Sequence, residues 1–235
     1  MSTPRASALL VLLGDGRLPT GGHVHSGGLE QARADGRLRD LADLEVLLRR
    51  RLRTTGLVVA AIAAAACLRP VDHALLDVEV DARTPSPAQR EASRAQGRGL
   101  LRLAAASWPA PSPHVAWSEL GRRPHHPVVL GCAAAASGLR PLDAATCAAY
   151  LAVSGPAAAA QRLMALDPVA VAALTVRLAP EVDDIAATAV RPPTRDGEAL
   201  GDGPSPFTHL PAHSDPLLDL LAQRHDTSKE RLFVS

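Results

Sequence analysis

The sequence predicts an all-α, single-domain bundle of many short helices, and three observations carry that expectation. Leu41, Leu44, Leu48 and Leu52 recur at three- and four-residue steps, with Arg49, Arg50 and Arg53 largely opposite them. That is the period of an amphipathic helix. Ser86-Pro87, Asp167-Pro168 and Asp215-Pro216 each pair a capping side chain with a proline suited to the first helical turn. No segment alternates apolar and polar residues with β-branched side chains, and no repeat of fixed period is visible.

Taken in order, Ser7 to Leu13 is a short apolar helix or buried segment, followed by a glycine-rich loop. Ser26 to Ala34 can be helical. Asp40 is an N-cap for the next helix, with Asp43 in its first turn, and Gly56 bends or ends it. Leu57 to Leu68 is apolar nearly all round and reads as a central, buried helix that Pro70 stops. No element is assigned between Pro70 and Thr84. Ser86, Pro87 and Gln89 form a capping box that opens a helix to about Ala106. Gly97 and Gly99 inside it cost about 1 kcal/mol each, which calls for another backbone crossing close by. Pro127 opens the next helix and Gly138 closes it. Asp143 starts another, ending at Gly155-Pro156, and Ala157 to Leu166 follows. A helix from Asp167-Pro168 ends before Pro180, and Glu181 to Val190 forms one more. Residues 191–206, rich in Pro, Gly and Asp, read as a mobile loop. The last helix starts at Asp215-Pro216, with Leu217, Leu218 and Leu221 on one side.

Composition narrows the function. The chain is 47% hydrophobic but only 2% aromatic, so its core is built of alanine and leucine. A buried methyl contributes only ~0.8 kcal/mol, so modest intrinsic stability and a benefit from subunit contacts are expected. The net charge of +1 gives no field to draw nucleic acid or a membrane surface. The basic cluster Arg49 to Arg53 has Glu45 beside it and no aromatic interleaving, and reads as a solvated helix face. Cys67, Cys132 and Cys147 lack C-x-x-C spacing and read as buried free thiols of a reducing compartment. The apolar start Ala6 to Leu13 has no cleavage pattern, and the longest apolar run, Leu57 to Leu68, falls short of the roughly 20 residues that span a bilayer. A cytoplasmic protein with no membrane or nucleic-acid partner is expected.

Catalytic vocabulary is sparse. The stretch GDGRLPTGGHVHSGG has the glycines of a phosphate loop but no Lys-Ser/Thr pair, and Gly197 to Gly203 fails in the same way. Ser26 has Gly28 after it but Val24 where a nucleophile elbow needs glycine. It reads instead as the cap of a helix starting near Gly27, with Glu30 close to the first turn. His23 and His25 form an H-x-H pair, and His125-His126 is another. Alternate residues of an extended loop point apart, so no closed four-ligand site follows, and no tightly bound cofactor is expected. Weak, transient binding of a borderline metal such as nickel by His23 and His25 fits better. The rival reading is a small metal-dependent hydrolase using His23, His25 and His126.

Two segments near the ends are chemically distinctive. Leu18 to Glu30, LPTGGHVHSGGLE, resembles the opening motif of the urease accessory protein UreF family. His225 to Ser235, HDTSKERLFVS, resembles that family's closing pattern of H-E-T, a spacer and R-L-F-x-S. Arg94 to Leu103 and the stretch His126-Pro127-Val128-Val129-Leu130-Gly131 resemble two of its middle segments, in the same order along the chain. His23 stands where an aromatic is usual, Val24 where a hydroxyl is usual, Lys229 replaces a typical spacer residue, and Leu163 to Ala173 lacks a glycine-glutamine pattern. These departures suggest a divergent, actinobacterial-like branch.

The resemblance implies an all-α homodimer with no catalytic centre. It implies binding to the accessory protein UreD (also called UreH), recruitment and regulation of the GTPase UreG, and nickel insertion into apo-urease. Partner contact would fall on Gly22, His25, Ser26, Leu29 and Glu30 of the opening motif. In the tail, residues 224–235, it would fall on His225, Arg231, Leu232, Phe233 and Ser235. The residues agree on their own terms, because an aromatic and an arginine in a terminal segment are the types that dominate interface energies.

Overall fold

The leucine-spaced helix expected from Asp40 onward is the first part of the longest helix among the described residues. The computed structural model describes residues 4–20, 26–191 and 206–227. Helix α3 (Leu41–Arg51) starts where Asp40 accepts a hydrogen bond from the Asp43 N–H at 2.9 Å. It does not stop at Gly56. A π turn, Leu52–Gly56, carries it into α4 (Leu57–Leu68). Thr54 and Thr55 donate back to the Arg50 and Arg51 carbonyls inside this turn, which helps hold the wider ring. The joined helix of 28 residues is long and apolar enough to cross a bilayer, which corrects the expectation from the shorter run. Yet 61% of its apolar stretch is buried inside the fold, as for the core helix of a globular protein.

Around α4 pack α7 (His126–Ala136), α8 (Pro141–Met164) and α9 (Pro168–Ala189), with α8 against α9. Helix α6 (Pro87–Ser107) covers α7, and α1 (Pro4–Leu13) lies against α7 and α8. Helix α5 (His73–Arg83), in a stretch left without an element above, packs on α4 and α7 and buries the i, i+4 pair Leu76 and Val80. Among the described residues there is no named strand, and the all-α expectation stands.

Two proline stops do not act as stops. Pro156 lies inside α8 and Pro180 inside α9. An internal proline removes one helical hydrogen bond and costs ~3 kcal/mol or more. Both helices bury residues on either side of it, Val153 and Ala157 in α8 and Leu178 and Val182 in α9, so packing outweighs the local preference. Helix α8 also begins at Pro141, two residues before Asp143, whose carboxylate instead accepts from the Arg140 N–H at 2.9 Å. The predicted loop 191–206 falls almost wholly outside the described residues.

The glycines of α6 behave as expected. A Cβ on Gly97 would sit 2.0 Å from the Pro124 carbonyl oxygen, and one on Gly99 2.8 Å from Thr20 backbone. Two different chain segments therefore cross this helix. At Gly138, φ is +72°, and the Leu139 and Gly138 N–H groups close α7 onto the Ala134 and Ala135 carbonyls, both at 2.9 Å. The capping box at Ser86 is only half formed. Its hydroxyl accepts from the Gln89 N–H at 3.3 Å, while the Gln89 side chain reaches another helix.

The segment crossing Gly97 is held by a buried polar cluster. His125 is fully buried, with Nε2 2.9 Å from Asp81 and Nδ1 3.0 Å from the Ser93 hydroxyl. The order Ser93, His125, Asp81 imitates a hydrolytic triad, but Ser93 Oγ also accepts from the His126 N–H, and Arg94 engages both Asp77 and Asp81. The cluster clamps the chain before α7 to α5 and α6. Burial lowers the pKa of His125, and takes His126 from its usual 6.5 to about 4.

This gives a signed pH dependence. Unfolded histidine takes up a proton near 6.5, whereas His126 resists until about 4. Within that window the unfolded chain binds more protons, so stability is full above 6.5 and declines as the pH falls towards 4. The expected loss at His126 is on the order of 3 kcal/mol. Urea melts across the window measure it, and His126→Gln should flatten the slope. An unchanged slope would show that His126 is already charged in the fold.

Candidate partner-binding site where the end segments meet

The opening motif and the last helix, far apart in sequence, pack on one another. After Ser26 the chain turns through Gly27 (φ +61°) and Gly28 (φ +88°) into α2 (Leu29–Ala34). Such dihedrals strain any residue with a Cβ. Gly28 is also the only residue type that fits, because a Cβ there would lie 3.1 Å from Ala222 N and 3.2 Å from Leu221 Cβ of α10 (Pro216–Thr227). Ser26 does not cap α2 as expected. Gly28 occupies the cap position, and the buried Ser26 hydroxyl has no hydrogen-bond partner among the described residues.

The contact continues along α10. His225 is buried, with Nε2 3.4 Å from the Glu30 carboxylate, and Arg224 pairs with Asp35 at 2.8 Å. Leu29 and Ala32 meet the same core as Leu218 and Leu221. Arg224 to Thr227, read from sequence as the start of the tail, are therefore the last turn of α10.

Helix α10 is fixed from its other end by Asp215. This carboxylate accepts from the Leu217 and Leu218 N–H groups at 3.0 and 3.4 Å and makes a two-pronged pair with Arg50 at 2.7 and 2.9 Å. Desolvation pushes its pKa up, but the Arg50 bond and the two N–H groups outweigh it and hold the carboxyl below the usual range. Gln89 Nε2 donates to Asp219 at 3.1 Å, and Arg83 donates to the Phe207, Leu210 and Pro211 carbonyls just before α10. None of these long-range anchors carries a sequence motif; Asp215 was legible only as a cap.

The basic cluster divides. Arg49 and Arg53 pair with Glu181, Arg49 also with Glu45, and Arg50 with Asp215, so the outward face is ion-paired as well as wet. Arg51 corrects the solvated-face expectation. It turns inward, with its guanidinium against Gly27 and Nη1 donating to the Gly27 carbonyl at 3.2 Å. It lines a deep cavity of about 590 Å³, bounded also by Leu18, Val58, Leu100, His126 and Tyr150.

Among the expected contact residues, Ser26, Leu29, Glu30 and His225 are thus brought together. Gly22, His23, His25, Arg231, Leu232, Phe233 and Ser235 lie outside the described residues. Among the described residues no group of three His, Cys, Asp or Glu side chains could hold a metal ion. The Cys67, Cys132 and Cys147 thiols are buried, and desolvation pushes each up to about 12, which removes them as nucleophiles or ready ligands.

Comparison with known proteins identifies the family. The UreF family model matches residues 38–179. A urease accessory protein UreF of Mycobacterium sp. strain JLS is 49% identical over 226 residues, covering 96% of this chain and 97% of the relative. The UreF proteins of Mycobacterium tuberculosis and Mycolicibacterium vanbaalenii are each 48% identical, over 228 and 231 residues, covering 97% of this chain and 98% of each relative. The hydrolase alternative falls with this result. The chain belongs to the UreF family of urease accessory proteins, which support urease maturation and are not themselves enzymes.

Proposed function

We propose that this chain is a cytoplasmic, homodimeric scaffold that binds UreD/UreH and with it recruits the GTPase UreG, regulating GTP hydrolysis while nickel is inserted into apo-urease. Nickel is cargo in this reading, held at most transiently, with His23 and His25 as the weak candidate ligands. The observation that supports it is the packing of Gly28 and Glu30 against Ala222 and His225. Two segments that would each contact partners share one rigid base, so a single partner could engage both. A surface shared by two chain segments is pre-organised, and pre-organisation reduces the ordering cost of association.

The purified chain is expected to hydrolyse no GTP alone and to change the rate of hydrolysis by UreG when UreD is also present. Phosphate release, measured with each component omitted in turn, checks this. An unaltered UreG rate in the three-protein mixture would end the regulatory reading, and turnover by the chain alone would contradict it directly.

A further inference from the structure

Beside the cavity at the π turn lie two polar groups with no partner among the described residues. Arg51 Nε is buried without a hydrogen-bond partner, and so is the Ser154 hydroxyl. Both residues line the cavity. Arg51 is half-buried, and it lines the cavity. Among the described residues it donates to the Gly27 carbonyl and pairs directly with no carboxylate, although Asp219 lies near enough to act on its charge. Its neighbours Arg49, Arg50 and Arg53 all have carboxylate partners. A half-buried guanidinium with no directly paired anion stays protonated and keeps donors that water would otherwise satisfy.

The local geometry keeps this arrangement in place. The π turn begins directly after Arg51, and α8 crosses it with the Ala152 Cβ 3.7 Å from where a Cβ on Gly56 would be. Ser154 is two residues further along α8. Thr55, whose hydroxyl is tied to the Arg51 carbonyl, lines the same space. π turns of this kind recur at functional sites. Arg17, Arg51, Arg83 and Arg162 line the cavity, with Asp15 as the acid among the described lining residues, and Arg83 is paired with Glu79. Asp15 is itself paired with Arg17.

We propose that this cavity is a binding site for a small oxyanion, seated on the Arg51 guanidinium with the Ser154 hydroxyl as a second donor. The planar fork of Arg51 matches a carboxylate or bicarbonate with two parallel hydrogen bonds, and it also accepts two oxygens of a tetrahedral phosphate. The shared chemistry is an anion with two adjacent oxygens. Burial lowers the Arg51 pKa, and a bound anion would restore it. The site concerns the chain's own interior and does not depend on which partners it meets.

The test is calorimetric titration of the full-length protein with sodium bicarbonate, acetate and phosphate in turn, at ionic strength matched with chloride. Saturable heat is expected with at least one of them, and the bicarbonate, acetate and phosphate arms identify the preferred shape. Arg51→Gln should weaken that binding about ten- to hundred-fold, the equivalent of one charge-assisted hydrogen bond. Arg51→Lys, which keeps charge but not the fork, should fall between. Ser154→Ala, a smaller change that serves if Arg51→Gln does not fold, should weaken binding several-fold. No saturable heat beyond chloride overturns the proposal. So does unchanged affinity in a folded Arg51→Gln protein, or unchanged affinity in Ser154→Ala.

Discussion

Gly131→Ala is expected to lower stability by about 3 kcal/mol. A Cβ at that position would lie 2.3 Å from the Ala63 carbonyl oxygen, 2.6 Å from the Ala66 Cβ and 2.9 Å from the Cys67 N. Two of those three atoms are backbone of α4 and cannot rotate away. The two helices must separate, and α4 is also packed on α8 and α9, so the shift spreads through the centre of the bundle. Overpacking usually costs 1–3 kcal/mol, and a rigid backbone neighbour puts this case at roughly the upper end. For a chain of this size the melting temperature should fall by roughly 6–12 °C. Gly16→Ala is the matched control, because a Cβ there meets nothing within 4 Å and its φ is not positive. Thermal melts followed by circular dichroism compare the two. Equal melting temperatures would mean that α4 and α7 are less closely apposed than described.

Removing residues 228–235 is expected to leave the melting curve close to wild type and to abolish capture of UreD. The boundary matters. Cutting before Arg224 would also delete His225 and the Arg224–Asp35 pair, and would strip the partners of α2. A loss of binding could then reflect damage to the base. Cutting after Thr227 keeps α10 whole. Phe233→Ala alone should weaken capture by about thirty-fold, the equilibrium equivalent of the ~2 kcal/mol typical of a central interface aromatic. Wild-type capture by the truncated chain would refute the assignment of Arg231, Leu232, Phe233 and Ser235 to partner contact.

What the sequence revealed was mostly local. Asp40, Ser86, Asp167 and Asp215 were legible as caps because a short acceptor side chain before a helix satisfies N–H groups within two or three residues. Gly97 and Gly99 were legible as close approaches because glycine inside a long helix needs a reason, though not which segments would cross. The errors share a physical cause. Gly56, Pro156 and Pro180 all disfavour helix locally, yet each lies within a helix braced along its length by others. Ser26 had the right residue type for a cap, but the two positive-φ glycines after it moved the helix start beyond its reach. Helix α5 was missed because only Leu76 and Val80 of its apolar residues are buried while Leu75 and Val78 face outward, which blurs the helical period, and because Asp77 and Asp81 serve Arg94 and His125.

By itself the sequence determined the helical class, most helix starts and the family, since these rest on periodicity, capping and ordered motifs that neighbouring residues carry. Tertiary structure alone decided that the opening motif and α10 form one base, that Arg51 turns inward while Arg49 and Arg50 turn out, and that Asp215 anchors the last helix through Arg50. Each of those depends on contacts between residues 24 to 195 positions apart, such as Gly27 with Arg51 and Glu30 with His225. Helical periodicity says which face of a segment is buried. It does not say which distant segment will bury it, because that choice is made by the packing of the whole chain.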